Sequence, residues 1–329
     1  MKLAVLDQSP IASGRSPQLA LAQAAERAGY DRYWVAEHHG SESFAGCAPE
    51  ILIGHIAANT HRIRVGSGGV MLMHYSPLKV AEQFKVLQSL HPDRIDLGIG
   101  RAPGGDGITS VALAYGSEVG PEYFPARLAD LLAFLGDAPP FTESLARVRP
   151  APAVSPPPEP WMLGSSIDGG RLAAHFGLPF AFAHFIGADA LEPACEVYRK
   201  EFKPSAWLQE PRVSVGVFAI AAPDDSRAEL LSRCRDVWRL KVERGVFEPF
   251  PSVEEAEAYE VSPAQQQIIE SRRALQIAGT PDQVAQDLSR LAGTVGADEL
   301  AVVSITHAFE ERVWSHVRIA EALSRLSAS

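Results

Sequence analysis

Cysteine is scarce in this chain, and the three present, Cys47, Cys195 and Cys234, lie far apart. An odd number without paired spacing argues against a disulfide framework and against a zinc site. It favours a reducing compartment. Positive charge is short as well. Lys and Arg number 30 against 40 Asp and Glu, and the formal charge of −10 argues against binding to nucleic acid or to an anionic membrane. No apolar run reaches the length of a membrane span. The first residues enter a strand pattern at once, which leaves no place for a signal peptide. A cytoplasmic protein is the expectation. The chain also lacks a glycine-rich phosphate turn after its first apolar run, where Asp7-Gln8-Ser9-Pro10 stands instead. An open doubly wound sheet normally carries such a turn.

What the chain has is one event repeated. A short apolar run ends abruptly in polar residues, most clearly where Tyr33-Trp34-Val35-Ala36 gives way to Glu37-His38-His39. Seven more runs behave as strands: Lys2 to Leu6, Arg64 to Gly66, Arg94 to Gly100, Trp161 to Gly164, Phe180 to Ala183, Val213 to Ile220 and Leu300 to Ile305. Between them lie stretches with apolar residues at three-to-four spacing, among them Ser16 to Ala28, Pro77 to Leu90, Pro125 to Leu135 and Pro281 to Ala292. Several begin with a hydroxyl and a first-turn proline. Alternating strand and helix argue for a parallel sheet with helical crossovers, and eight units fit a (β/α)8 TIM-like barrel. No linker divides the chain, so residues 1–329 read as one domain. The regular alternation breaks twice. The connection over 102–160 is long and proline-rich, and reads as a lid or as a variable surface insertion. The stretch from Val237 to Arg273 reads as one long connection between strands seven and eight.

In a barrel of this kind the C-terminal strand ends carry the site. The residues there are those that hold a flavin phosphate ester. Arg101 offers a cation. Ser165 and Ser166 precede a helix start, where free N–H groups bind anions, although such a pair is often only a helix cap. Gly66-Ser67-Gly68-Gly69, with Gly98, Gly100 and Gly104, leaves strand ends almost bare of side chains, so that a planar ring can approach the backbone. His38 and His39 point to opposite faces if the strand runs that far, one toward the barrel mouth and the other toward the surrounding helices, and His38 is the better candidate for a functional role. Glu37 orients an imidazole or pairs with an arginine.

These residues also resemble a known family. Leu6-Asp7-Gln8-Ser9-Pro10, Trp34-Val35-Ala36-Glu37-His38-His39, Val65 to Leu72, the block from Ser76 to Gly104, Leu163-Gly164-Ser165-Ser166 and Ala278-Gly279-Thr280-Pro281 look like the short, single-domain branch of the bacterial luciferase-like flavin-dependent monooxygenases. The match is dense to about residue 106 and patchy beyond. The resemblance implies a barrel, usually a homodimer, that binds FMN in its reduced form, FMNH2, supplied by a separate flavin reductase. It implies use of that flavin with O2 to oxygenate a small organic substrate. It maps the catalytic histidine to His38, with Glu37 beside it. The flavin-contacting arginine maps to Arg101, the phosphate hydroxyls to Ser165 and Ser166, and a non-prolyl cis peptide beneath the ring to Gly68-Gly69. Two departures stand out. Asp168-Gly169-Gly170 replaces a further small hydroxyl, and an inward aspartate would repel a phosphate. Ala112-Leu113-Ala114-Tyr115 lacks a basic pair that would give a second phosphate cation.

Three other readings remain at this level. The same fold can use the deazaflavin F420 for hydride transfer without oxygen. His38 or His39, with His184 and His307, all end candidate strands, as ligands do in metal-dependent barrel hydrolases. A degenerate, non-enzymatic flavin-binding barrel fits the weakened phosphate signals.

Overall fold

The computed structural model describes residues 1–11, 18–102, 105–115, 120–136, 138–246 and 248–328. In chain order its regular elements begin β1 (Lys2–Asp7), α1 (Gln18–Arg27), β2 (Arg32–Val35), α2 (Pro49–Ala58), β3 (Arg64–Met71), α3 (Pro77–Leu90) and β4 (Ile95–Gly100). There follow α4 (Gly107–Ala114), α5 (Phe124–Leu135), β5 (Glu159–Gly164), α6 (Ile167–Phe176), β6 (Phe180–Ala183), α7 (Leu191–Glu201) and β7 (Val213–Ala221). The last third holds α8 (Asp225–Val242), α9 (Val253–Ala258), α10 (Pro263–Arg273), β8 (Gln276–Gly279), α11 (Pro281–Val295), β9 (Glu299–Val303) and α12 (Phe309–Ala328).

Every ladder is parallel. Strands β1 to β7 pair in sequence, and β9 pairs with both β7 and β1, which closes an eight-stranded barrel. The expected fold class is therefore the observed one. The ninth strand is a correction to the eight expected. β8 pairs with the end of β7, from Phe218 to Ala221, starting at the residue where the pairing with β9 ends. The eighth strand of the barrel proper is β9. The connection expected from Val237 to Arg273 begins inside α8 and contains α9 and α10. Ser16 and Pro17, the expected start of the first helix, lie outside the described residues.

Period-two alternation divides the core into two layers. Val5, Tyr33 and Val35 face the surrounding helices, while Ala4, Leu6, Trp34 and Ala36 face the barrel axis. In the long connection, α5 buries Phe124, Leu128, Leu131 and Leu135 and packs on α3. It is the crossover helix between β4 and β5. By contrast, α4 buries none of its side chains.

The strand starts close the opposite end of the barrel with charge. Arg32 donates to Asp96 at 2.7 Å, Glu159 at 2.9 Å and Glu299 at 2.9 Å. Arg64 reaches Asp96 at 2.5 Å, and Arg212 pairs with Glu159. Trp34 Nε1 donates to Asp96 at 3.0 Å. The guanidinium groups of Arg32 and Arg212 lie 4.9 and 4.7 Å from the ring centre of Trp161. Burial opposes ionisation of Glu159, but Arg32, Arg212 and Arg64 hold its carboxyl down to about 2. Three cations thus meet three carboxylates beneath the barrel axis, each at or next to a strand start.

Candidate active site

At the C-terminal strand ends the barrel opens into a cavity of about 540 Å³. It lies within the range of small-molecule sites. One side comes from the ends of β3, β4 and β5, and glycines make up much of it beside Met71, Met162 and Leu163. Gly68, Gly69, Gly100, Gly164 and Gly169 line it, and the Gly68-Gly69 peptide is cis. A Cβ on Gly100 would come no closer than 3.8 Å to another atom, so that glycine leaves open room. Gly164 and Gly169 serve a different end. A Cβ on Gly164 would lie 3.3 Å from the Gly169 Cα, so their bareness lets the start of α6 press against the end of β5.

That close approach sets Ser165 and Ser166 on the cavity rim. Ser166 is the N-cap of α6, its hydroxyl accepting from Gly169 N–H at 3.3 Å. The cap reading is thus realised together with the rim position. Ser165 Oγ makes no hydrogen bond with the described residues. Like every helix start, that of α6 also presents N–H groups without intrahelical acceptors. Asp168 points away. Its side chain is 69 % exposed and lies 3.4 Å from Arg171, so the repulsion expected of an inward aspartate does not arise. Arg101 lines the same rim, is exposed, and makes no ion pair with the described residues. It is the one cation among the described cavity-lining residues. Gly104 lies outside the described residues.

Strand β2 ends at Val35, before the histidines. The loop nonetheless keeps the alternation going. Ala36 N–H donates to Asp7 O at 2.8 Å and His38 N–H to Gly46 O at 3.0 Å. Trp34, Ala36 and His38 accordingly line the cavity, joined by Glu37 between them, and His39 does not. Glu37 binds no arginine among the described residues. Its carboxylate accepts from Met71 N–H at 3.0 Å and from the Tyr75 hydroxyl at 2.5 Å, and sits 2.8 Å from His39 Nε2. Of the two roles expected for Glu37 it performs the first, on His39 rather than on His38.

His38 is held by stacking. Its ring lies 4.4 Å from that of Phe44, at 26°. Phe44 in turn meets Trp238 of α8 edge-on at 5.5 Å, and Trp238 lies 6.0 Å from Phe250. The Trp238 indole N–H also donates to Ser43 Oγ at 3.2 Å, and Ser43 Oγ donates to Glu248 O at 2.5 Å. The α8–α10 segment thus clamps the loop that carries Phe44. His38 Nδ1 is buried and has no hydrogen-bond partner among the described residues. Burial, and then the neighbouring His39, push the His38 imidazole down to about 4. At neutral pH it is therefore uncharged, free to accept a proton but without one to spare as an imidazolium. Phe44→Ala should reopen the ring to water, and the His38 midpoint should rise toward the ordinary value of about 6.5. A histidine titration followed by NMR checks this, and an unmoved midpoint would contradict it.

Sequence reasoning quoted Gln8 within a motif but gave it no role of its own, and did not single out Phe44, Tyr75 or Trp238. Tyr75 and Phe44 carried no periodic signal, and Trp238 comes from a helix more than 190 residues away from its partner Ser43. His184 and His307 do not line the cavity with His38. Among the described residues no three His, Cys, Asp or Glu side chains converge as metal ligands would. No helix among the described residues is long and apolar enough to cross a membrane.

Comparison with known proteins bears on this geometry. The luciferase-like monooxygenase family profile matches residues 3–299. A luciferase-like monooxygenase of Escherichia coli (strain K12) is 38 % identical over 304 residues, 91 % of this chain and 90 % of that one. The N-acetyl-S-alkylcysteine monooxygenase of Bacillus subtilis (strain 168) is 37 % identical over 322 residues, covering 95 % and 96 % of the two chains. The crystal structure of apo-MsnO8 superposes with a TM-score of 0.88 at 37 % identity, over 98 % of each chain.

Proposed function

This chain belongs to the luciferase-like monooxygenase family, and from that premise we propose that it is an FMN-dependent monooxygenase acting on a small organic substrate. When bound, reduced FMN would supply two electrons, so that one atom of O2 enters the substrate and the other leaves as water. One observation carries a flavin-type cofactor, and the monooxygenase relatives favour FMN over F420. A glycine-rich wall, Gly68-Gly69 and Gly100, leads to a helix start flanked by Ser165, Ser166 and an Arg101 that makes no ion pair with the described residues. The wall suits a flat ring, and the helix start with its cation suits a phosphate.

The remaining residues have work to do around such a group. His38 would accept a proton at the cavity, where its uncharged ring is exposed in part. Glu37 ties the loop after β2 to the Met71 amide at the end of β3, and so fixes the rim on which His38 sits. A single phosphate cation suits a flavin that exchanges, so we assign its reduction to a separate flavin reductase. A homodimer is in keeping with the exposed apolar side chains of Ile51 on α2 and of Val86 and Leu90 on the neighbouring α3. The N-acetyl-S-alkylcysteine relative makes thioethers the first substrates to assay.

Arg101→Ala tests the cofactor assignment. A charge-assisted hydrogen bond contributes roughly 1.5–3 kcal/mol, so FMN binding should weaken by about ten- to a hundredfold. Quenching of flavin fluorescence on titration reads the dissociation constant. An unchanged value removes Arg101 from the site.

A further inference from the structure

The proposed cofactor accounts for one side of the cavity, and the other side is built differently. There β6, β7 and β9 contribute Ala181, Gly216 and Ala301. Gly216 and Ala301 are partners in the β7–β9 ladder, so two of the smallest residues stand side by side. They leave room that larger side chains would fill. A Cβ on Gly216 would come within 3.1 Å of the Phe185 ring, so that glycine also makes way for an aromatic wall. Leu6 and Trp34 complete this floor from β1 and β2.

The floor has no counterion. Among the described residues the charged side chains lining the cavity are Glu37 and Arg101, with His38 held neutral. Glu37 is taken up by Met71, Tyr75 and His39, and Arg101 stands at the exposed rim of the glycine side. Asp96, beneath the floor, is already paired with Arg32 and Arg64. A carboxylate or ammonium carried down to Trp34 and Ala301 would be buried without a partner, which is costly.

One neutral polar group does face this space. Gln8 lines the cavity, and its carboxamide makes no hydrogen bond with the described residues. Its placement is built in. The next residue, Ser9, has φ 51, and its N–H donates to Asp7 Oδ1 at 2.6 Å. Asp7 is in turn fixed by Arg312 and by the Tyr33 hydroxyl. A carboxamide has donors and an acceptor but no charge, which suits a hydroxyl, carbonyl or amide of a ligand.

We propose that this floor receives an uncharged aliphatic segment of the substrate, and that Gln8 holds a neutral polar atom at its edge. The identity of the floor's occupant as a substrate rests on the monooxygenase reading, whereas its polarity rests on the lining alone. Any charged group of the same molecule stays at the rim.

The test uses three probes of one length, hexanol, hexanoate and hexylammonium, titrated at neutral pH with and without saturating FMN. Tryptophan fluorescence follows binding, since Trp34 forms part of the floor and Trp161 lies against it at 5.1 Å. Hexanol should bind at least about tenfold more tightly than either ion. Ala301→Leu should weaken hexanol by about tenfold, with circular dichroism confirming the fold. Gln8→Leu, at the edge of the floor, should weaken hexanol by about three- to tenfold and decides the matter if Ala301→Leu does not fold. An ion that binds as tightly as hexanol overturns the proposal, as does hexanol affinity unchanged in both variants or no binding of any probe. A protein that takes hexanol but no FMN upholds the floor and overturns the cofactor reading instead.

Discussion

His38→Ala should lower turnover by about 10²–10⁴-fold, the usual loss when a general acid or base is removed. FMN affinity should stay within about threefold, since an uncharged imidazole adds little to the binding of an anionic cofactor. The expectation rests on position and on chemistry. His38 faces the cavity from the loop after β2, its ring is fixed by Phe44, and its Nδ1 is a buried nitrogen without a partner. Burial depresses the imidazole to about 4. The base form is therefore full at neutral pH, and activity should fall as pH drops toward that value. The same shift bears on stability. A histidine depressed on folding stabilises the native state fully above its unfolded value, and loses that contribution as pH falls through about 4. Rate and stability must therefore be measured together across the acid range. His39→Ala should act differently, because His39 lies against Glu37 and Tyr75 outside the cavity. Its loss should lower thermal stability more than turnover. If His39→Ala abolishes turnover while His38→Ala keeps it, the two roles are exchanged.

Asp96→Ala should destabilise the fold by about 3–5 kcal/mol, the range for breaking a buried ion pair from one side. Asp96 is fully buried and receives Arg32, Arg64 and the Trp34 indole N–H. Its removal leaves the buried Arg32 guanidinium with Glu159 and Glu299 alone, Arg64 without its closest carboxylate, and the indole N–H with no acceptor. Urea unfolding measures the change, and a shift below about 1 kcal/mol would show that the network is not cooperative. The effect should reach the site as well, because Trp34 carries the floor on its other face. Hexanol affinity is the readout that separates such a local change from global unfolding.

How much of this could be read from the residues depended on the range over which each signal acts. The barrel was legible because strand and helix periods are local. His38 was legible because alternation from Trp34 carries through Ala36, even though the ladder stops at Val35. The glycine wall and the Ser165-Ser166 cap are likewise local signals. β8 was missed because Gln276-Ile277-Ala278-Gly279 is short, contains one β-branched residue, and gains its place only by pairing with the far end of β7. α8 was lost in a charge-rich segment whose apolar side packs on barrel-end aromatics and on the short α9. The charge at the strand starts reads as solvated in sequence, since Arg32 and Glu299 are 267 residues apart. Nor does a sequence reveal which way a first-turn aspartate turns, and Asp168 turns outward to Arg171.

The most direct measurement is anaerobic titration of the purified protein with reduced FMN and, separately, with reduced F420. The account predicts that reduced FMN binds at least about tenfold more tightly than reduced F420, and that Arg101→Ala weakens FMN binding by about ten- to a hundredfold. Preferential binding of F420, or FMN binding indifferent to Arg101, would contradict it.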